Sequence, residues 1–500
     1  MNVLLLRPVP RNERFGLGPF FRTEPLGLEY IAAALEASGH DVTVRDLRFG
    51  RPVEYSLTTT KPDVVGVACM HALEIDDTLD LIARVRTARP DVFILVGGHS
   101  AAAYPTPFFV ADVNGICLDD GERVMPELVA ALERHRSLRD VPGLLLPGEG
   151  GEFERTPAPD MTFALDDVRL PARRLLRDSR QHYACLHHRP TYLVETARGC
   201  PFRCSFCSVW QLFNRSFRER SIGAVCEDFA SVGQHVFVAD DIFWHHASRS
   251  QALAEALDQE SMRKQWLLVQ SRVDLVATHF ELLKAWRPIA DEFDMFLGLE
   301  SATNDGLSGL DKDATIDSTK EALRVARELG YGVTGNFVID PDWDEHDFER
   351  LWDFVAVNKL GRAGFTILTP LPGTAYFESM RERISAVAWS QFDMHHVLWE
   401  PKLGAERFFH LYCETWKRSV LNLKGEKKLW QWMRHTRPRH WGFTVRALLR
   451  TQRMMSPSHY LREHHSGPSG TIAPSPFDQE VRQLSVGSVS ARLPQEARHG

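Results

Sequence analysis

Twice along this chain, short apolar runs alternate with amphipathic helical stretches, and that rhythm restricts the fold more than any other feature. In the first series, runs of about six residues begin at Asn2, Asp41, Asp63, Asp91 and Asp112. Each is rich in Val, Ile and Leu, as strands buried on both faces are. Helical stretches separate them. The first spans Pro25, which suits an opening helical turn, to Gly39, which suits a helix end. Parallel strands need such crossovers. The expected product is an α/β, doubly wound, Rossmann-like domain over residues 1–140.

The rhythm then lapses. Residues 147–160 are turn-rich and residues 170–183 are basic, so residues 141–189 read as a linker. A second series of strand runs begins near Thr191, His235, Trp266, Phe293, Gly332 and Gly364. Six βα units over residues 190–384 predict a partial relative of the eight-fold barrel. Residues 385–465 read as a helical, Trp-rich, basic region, and residues 466–500 as a Gly/Pro/Ser-rich tail of disordered composition.

Composition excludes several classes. With 44% hydrophobic and 25% charged residues, the chain is neither disordered nor fibrous. A net charge of −7 gives no global attraction to nucleic acid. Eight cysteines in 500 residues are too few for a disulfide framework and favour a reducing compartment. The apolar tract at Asn2 is short and follows no basic segment, and no run is long enough to span a bilayer. The cytoplasm is the expected location.

Three cysteines, Cys200, Cys204 and Cys207, crowd into one short loop after the first strand of the second series. Three thiolates can hold three irons of a cubane and leave the fourth open to a ligand. A four-thiolate zinc site lacks its fourth cysteine nearby, although zinc and chance clustering remain the alternatives. The pattern C-x-x-x-C-x-x-C, with Phe206 before the last cysteine, resembles the cluster motif of the radical S-adenosylmethionine enzymes. That resemblance implies a 4Fe-4S cluster whose open iron chelates S-adenosylmethionine and cleaves it to an adenosyl radical. It also implies that Asp240 and Asp241, closing a strand, face the cofactor's amino group, where a helix cap is the plainer alternative. Arg272 and Glu300, at two further strand ends, would hold its carboxylate and ribose, with an ion pair the alternative for Arg272. Pro370 to Thr374 reads as a rigid loop closing the last strand.

Open parallel sheets bind ligands where strand order reverses. Pro8 to Asn12, after the first strand, is not a Gly-rich phosphate turn, which disfavours a dinucleotide. Gly97-Gly98-His99 directly follows the fourth strand and would let a flat ligand approach backbone. Together with Pro25 to Tyr30, Gly39 to Val42 and Pro62 to Gly66, this segment resembles the cobalamin-binding domain of cobalamin-dependent radical enzymes. Gly97, Gly98 and His99 are the expected cobalamin contacts. The Asp-x-His-x-x-Gly motif that supplies a cobalt ligand elsewhere is missing. His71 and Met70 stand where they could lie near the corrin. Asp120-Gly121-Glu122 replaces the relatives' Gly-Glu-Gly-Glu, in a loop expected near the cofactor tail.

The two resemblances together imply C-methylation of an unactivated carbon, with methylcobalamin as the carrier. Across its length the chain looks most like the hopanoid C-3 methylase group, which methylates ring A of bacterial triterpenoids. That implies a triterpenoid lipid substrate and an external electron donor such as flavodoxin or ferredoxin. Residues 434–453 carry six arginines and no acid, interleaved with Trp441 and Phe443, a composition suited to an anionic lipid surface on the inner face of the membrane. A solvated basic helix is the alternative. Ring closure or rearrangement, as in the tetrapyrrole cyclases, and a cobalamin sensor with a structural cluster are the competing functions. Tyr183, His187, His188, Trp244, His245 and His246 could face substrate, and local chemistry does not choose among them.

Overall fold

The computed structural model describes residues 1–11, 21–148, 152–158, 163–384, 388–419 and 455–465, with Gly442 alone between the last two ranges. The tail 466–500 and, Gly442 apart, the basic stretch 434–453 lie outside the described residues.

The first series forms one twisted sheet. Strand β1 (Asn2–Arg7) lies between β2 (Asp41–Asp46) and β3 (Val64–Ala68). Beyond β3 come β4 (Phe93–Gly97), β5 (Gly115–Cys117), β6 (Leu144–Pro147) and β7 (Phe153–Arg155). The first five run parallel, while β6 and β7 are antiparallel. Residues 144–147 and 153–155, within the stretch that reads as a linker, are therefore strands of this sheet. The two strands are four and three residues long, so the Gly and Pro residues around them outweigh the three buried leucines, Leu144 to Leu146. Strand order reverses between β1 and β3, which sets the ligand crevice at their carboxyl ends.

The helix Leu26–Ala37 shows how locally the sequence sets its boundaries. Gly39 adopts φ +85°, donates to Glu36 O at 3.0 Å, and lets His40 donate to Leu35 O at 3.1 Å. Those two bonds satisfy carbonyls that a helix end otherwise leaves open.

The second series forms six parallel strands in sequential order: β8 (Tyr192–Val194), β9 (His235–Val238), β10 (Lys264–Arg272), β11 (Ala290–Glu300), β12 (Gly332–Ile339) and β13 (Ala363–Ile367). No pairing among the described residues joins β13 back to β8, so the barrel is partial. Alternation along the strands separates two environments. Leu267, Val269, Phe293, Met295, Phe337 and Phe365 point outward and are buried under the surrounding helices, where each such side chain contributes about 1.5–3 kcal/mol. The residues between them face inward. Gln270, Phe296, Thr334, Asn336, Gly364 and Thr366 are only half-buried, so the barrel encloses an open cavity.

Glycines on that inner face make room for charge. A Cβ at Gly332 would overlap the Arg362–Asp294 ion pair, and one at Gly298 would overlap Glu300 and lie 2.7 Å from Lys312 Nζ. Below the cavity the floor is apolar: Cys185, Trp266 and Leu268 pack with Phe21, Phe237 and Phe296. The helix Ala405–Ser419 covers β13, with Tyr412 donating to Phe365 O at 3.0 Å and Trp352 donating to Thr415 Oγ1 at 2.8 Å. Among the described residues, no helix is long and apolar enough to cross a membrane.

Candidate active site

The three cysteines occupy a loop thrown out beyond β8 by a small antiparallel ribbon of Ala197–Gly199 with Phe217–Glu219. Gly199 turns the chain into the loop at φ +95°, and a Cβ there would overlap the carbonyl oxygen of Ser216. Gly199→Ala is accordingly expected to displace the loop and lower the iron bound per chain several-fold, as measured by iron analysis after anaerobic reconstitution. Loop shape is fixed by backbone bonds: Cys207 donates to Cys204 O at 3.1 Å and Ser205 to Leu310 O at 3.2 Å. Trp210 Nε1 also donates to Cys204 O, at 3.0 Å.

All three thiols are free and partly accessible. Burial pushes each of them above the ordinary thiol range, Cys207 to about 12. Lys312 and Arg272 pull Cys204 downward without offsetting that burial. A metal must therefore supply the charge that ionises them. Among the described residues, the three sulfurs do not form a group closed within 4.8 Å, as ligands of one zinc ion would. A wider, three-handled group such as a cubane fits this donor set better.

Four carboxyl-end residues surround the loop. Asp240 is buried, and its carboxylate accepts from Thr196 N at 2.7 Å and from Thr196 Oγ1 at 2.5 Å. It ties β9 to the segment after β8, and its burial turns it away from the cavity that an ammonium group would enter. Burial, opposed by those bonds, raises its pKa to about 7. Between the ordinary carboxyl range and about pH 7 the folded chain then binds a proton that the unfolded chain has lost, so this group lowers stability as pH rises through that window. Asp240→Asn is expected to flatten that part of the pH dependence of Tm.

Asp241 is open to solvent yet surrounded by protein, the position of a cavity wall, and it accepts from Gly199 N at 2.9 Å. Burial raises its pKa to about 6. Arg272 is already committed: Nε pairs with Asp274 at 2.9 Å, Nη2 donates to Asp313 O at 2.8 Å, and its guanidinium lies 3.7 Å from the ring centre of Phe202. It braces the cysteine loop through that stack. Glu300 ends β11 at a bulge with φ +57°, a costly conformation for a residue with a Cβ. Lys312 holds it at 2.7 Å and also donates to Gly298 O at 2.7 Å.

The first domain meets this site through its switch-point edge. Gly98 adopts φ +99°, and a Cβ there would lie 2.7 Å from Cys69 O. The glycine is thus required by the sheet edge itself, a reason additional to ligand approach. His99 Nε2 lies 2.6 Å from Ser208 Oγ, next to Cys207. His71 and His99 are partly accessible, and burial pushes them down to about 3 and about 4. Both are neutral imidazoles on a crevice wall, with Met70 exposed beside them. A flat cofactor seated at the switch point would lie against Gly97, Gly98 and His99 and face the cysteine loop.

A buried charge network, which strand patterns do not announce, locks the two domains. Arg198 bonds Asp120 at 2.6 Å, Glu122 at 2.7 Å and Glu195 at 2.9 Å, while Arg218 bonds the other oxygen of Asp120 at 2.7 Å. Asp120 and Glu122 thus anchor their loop to the cysteine ribbon. Trp244 is buried at φ +66°, and His245 packs edge-on to Phe202 and Phe217 beside the loop. Tyr183 is buried against Asp46. His187 and His188 lie at the opposite pole of the barrel.

A doubly wound domain pressed by its switch point onto a three-cysteine loop at the mouth of a partial barrel defines a cobalamin-dependent radical enzyme. The B12 binding domain family matches residues 20–129, and the radical SAM superfamily matches residues 194–355. The chain belongs to the cobalamin-dependent radical S-adenosylmethionine methyltransferases, whose cofactors are a 4Fe-4S cluster, S-adenosylmethionine and cobalamin. It is 32% identical to the hopanoid C-3 methylase of Methylococcus capsulatus, over 79% of this chain and 76% of the relative. It is 26% identical to an anaerobic magnesium-protoporphyrin IX monomethyl ester cyclase of Rubrivivax gelatinosus, over 75% and 70%. The solved fold of the cobalamin-dependent S-adenosylmethionine radical enzyme OxsB superposes with a TM-score of 0.69 at 17% identity, covering 98% of this chain and 75% of that one.

Proposed function

We propose that this methyltransferase places a methyl group on C-3 in ring A of hopanoids. The observation that carries the reading is the 32% identity to a hopanoid C-3 methylase, which runs through both domains. With their ligands bound, the cofactors supply hydrogen-atom abstraction and a transferable methyl group, a combination suited to carbon that no side-chain base can deprotonate.

The chain's own residues divide the remaining work. Cys200, Cys204 and Cys207 hold the cluster. Asp241 takes the ammonium of S-adenosylmethionine, and Glu300, aimed by its strained backbone and Lys312, takes the ribose. Arg272 and Asp240 are positioning residues that hold the loop and strand ends. Gly97, Gly98 and His99 receive the cobalamin. The apolar floor of the barrel, with Phe296 above it, offers a saturated ring a surface that asks for no hydrogen bonds, while Gln270, Thr334, Asn336 and Thr366 leave the rest of the inner face polar. A water-insoluble substrate must be met at a lipid surface, a task for residues 434–453, and the electron comes from a flavodoxin or ferredoxin.

The test incubates reconstituted enzyme with a pentacyclic hopanoid, a reductant and methyl-labelled S-adenosylmethionine. A product one methylene heavier that carries the label supports the reading. A product of unchanged carbon count identifies ring closure or rearrangement. Absence of methylated product and of 5'-deoxyadenosine with every hopanoid removes hopanoids as the substrate class. Either result overturns the proposal.

A further inference from the structure

At the amino-terminal ends of the barrel strands, His235 of β9, Trp266 of β10 and Glu292 of β11 stand in register. Trp266 is six residues before Arg272, roughly 20 Å along an extended strand, so this pole is remote from the cysteine loop. The segment approaching β8 passes beneath it. His188 lies flat on Trp266, with ring centres 4.1 Å apart and planes 12° apart, which fixes its orientation. His187 packs beside it at 4.0 Å.

One ligand atom from each of His187, His188 and Glu292 lies within 4.8 Å of the other two. His188 Nε2 and Glu292 Oε2 are 3.9 Å apart, too far for a hydrogen bond. A buried imidazole facing a carboxylate across a gap too wide for a hydrogen bond is an arrangement that a cation completes. His235 sits 5.3 Å from His188, its Nδ1 3.3 Å from Pro190 O, and so holds the segment in place without entering the donor set.

We propose that His187, His188 and Glu292 form a zinc-class divalent cation site, with water as the fourth ligand, that clamps residues 187–188 to β11 beneath the barrel. Two imidazoles and a carboxylate suit zinc better than calcium or magnesium. The site is structural and independent of the methyl-transfer chemistry.

The test uses full-length protein with its iron–sulfur cluster reconstituted, so that the cysteines are occupied. It is dialysed against micromolar zinc, desalted and assayed for metal, and the zinc shell is read by X-ray absorption. One zinc per chain with only nitrogen and oxygen neighbours is expected. His187→Ala and Glu292→Gln, both at accessible positions, should each reduce zinc at least tenfold with iron content unchanged, and should remove the rise in Tm that zinc produces in the parent. Failure to retain zinc, sulfur neighbours in the zinc shell, or full zinc retention in both variants overturns the proposal.

Discussion

Cys204→Ala is expected to reduce cleavage of S-adenosylmethionine to the uncatalysed background and to strip the cluster's absorption from reconstituted protein. Each thiol is held protonated by burial, Cys207 up to about 12, so the site forms only by releasing three protons as metal binds. With two sulfurs left, the cluster loses a third of its anchoring charge and an iron that no neighbouring cysteine can recover. Cys69, Cys117, Cys185, Cys226 and Cys413 are all buried elsewhere in the fold. Cys204 also has its carbonyl held by Trp210 and its amide region bound toward Leu310 through Ser205. The loop therefore keeps its path in the variant, and the loss reports the missing sulfur. Turnover at the parent's rate, with iron retained, would remove the basis for the radical chemistry.

Where side chains do one job at one place in the chain, the sequence was a sufficient guide. The parallel strands of both sheets were visible as apolar runs, because burial on both faces leaves little choice of residue, whereas the short strand Phe217–Glu219 that frames the cysteine loop was not. The cysteine spacing was legible because three handles on one loop must come from one segment. The hairpin of β6 and β7 was missed, since three-to-four-residue strands are swamped by their turns. Strand-end placement was legible for Asp240 and Arg272, while their bonds to Thr196, Asp274 and Asp313 were not. A one-dimensional pattern shows where a side chain starts and not which partner has already claimed it. Lys312 carried no signal at all, and the Arg198 network joins residues 76 and 78 positions apart.

That network yields the second large effect. Arg198→Met is expected to cost about 3–5 kcal/mol, the usual result of removing one partner from a buried ionic group. Asp120, Glu122 and Glu195 would remain together with Arg218, and Arg220 stands 3.6 Å from Glu195. Burial already raises Glu122, and Arg198 is the main influence holding it down. Without that cation Glu122 rises further, so the variant binds an extra proton when folded and loses stability as pH rises above the ordinary carboxyl range. The deficit against the parent, read as Tm, should be smallest within the ordinary carboxyl range and grow as pH rises above it. Adding Glu122→Gln removes one uncompensated charge and should recover part of the loss. Because the network joins the switch-point edge to the cysteine ribbon, the single variant should keep its iron and still cleave S-adenosylmethionine while methylated product falls steeply. If cleavage and methylation fell in equal proportion, the network would be holding the cysteine loop alone, and the two domains would be aligned by their other contacts, such as His99 with Ser208, Leu193 N with Glu24, and Phe377 and Met380 packed into the first domain's core.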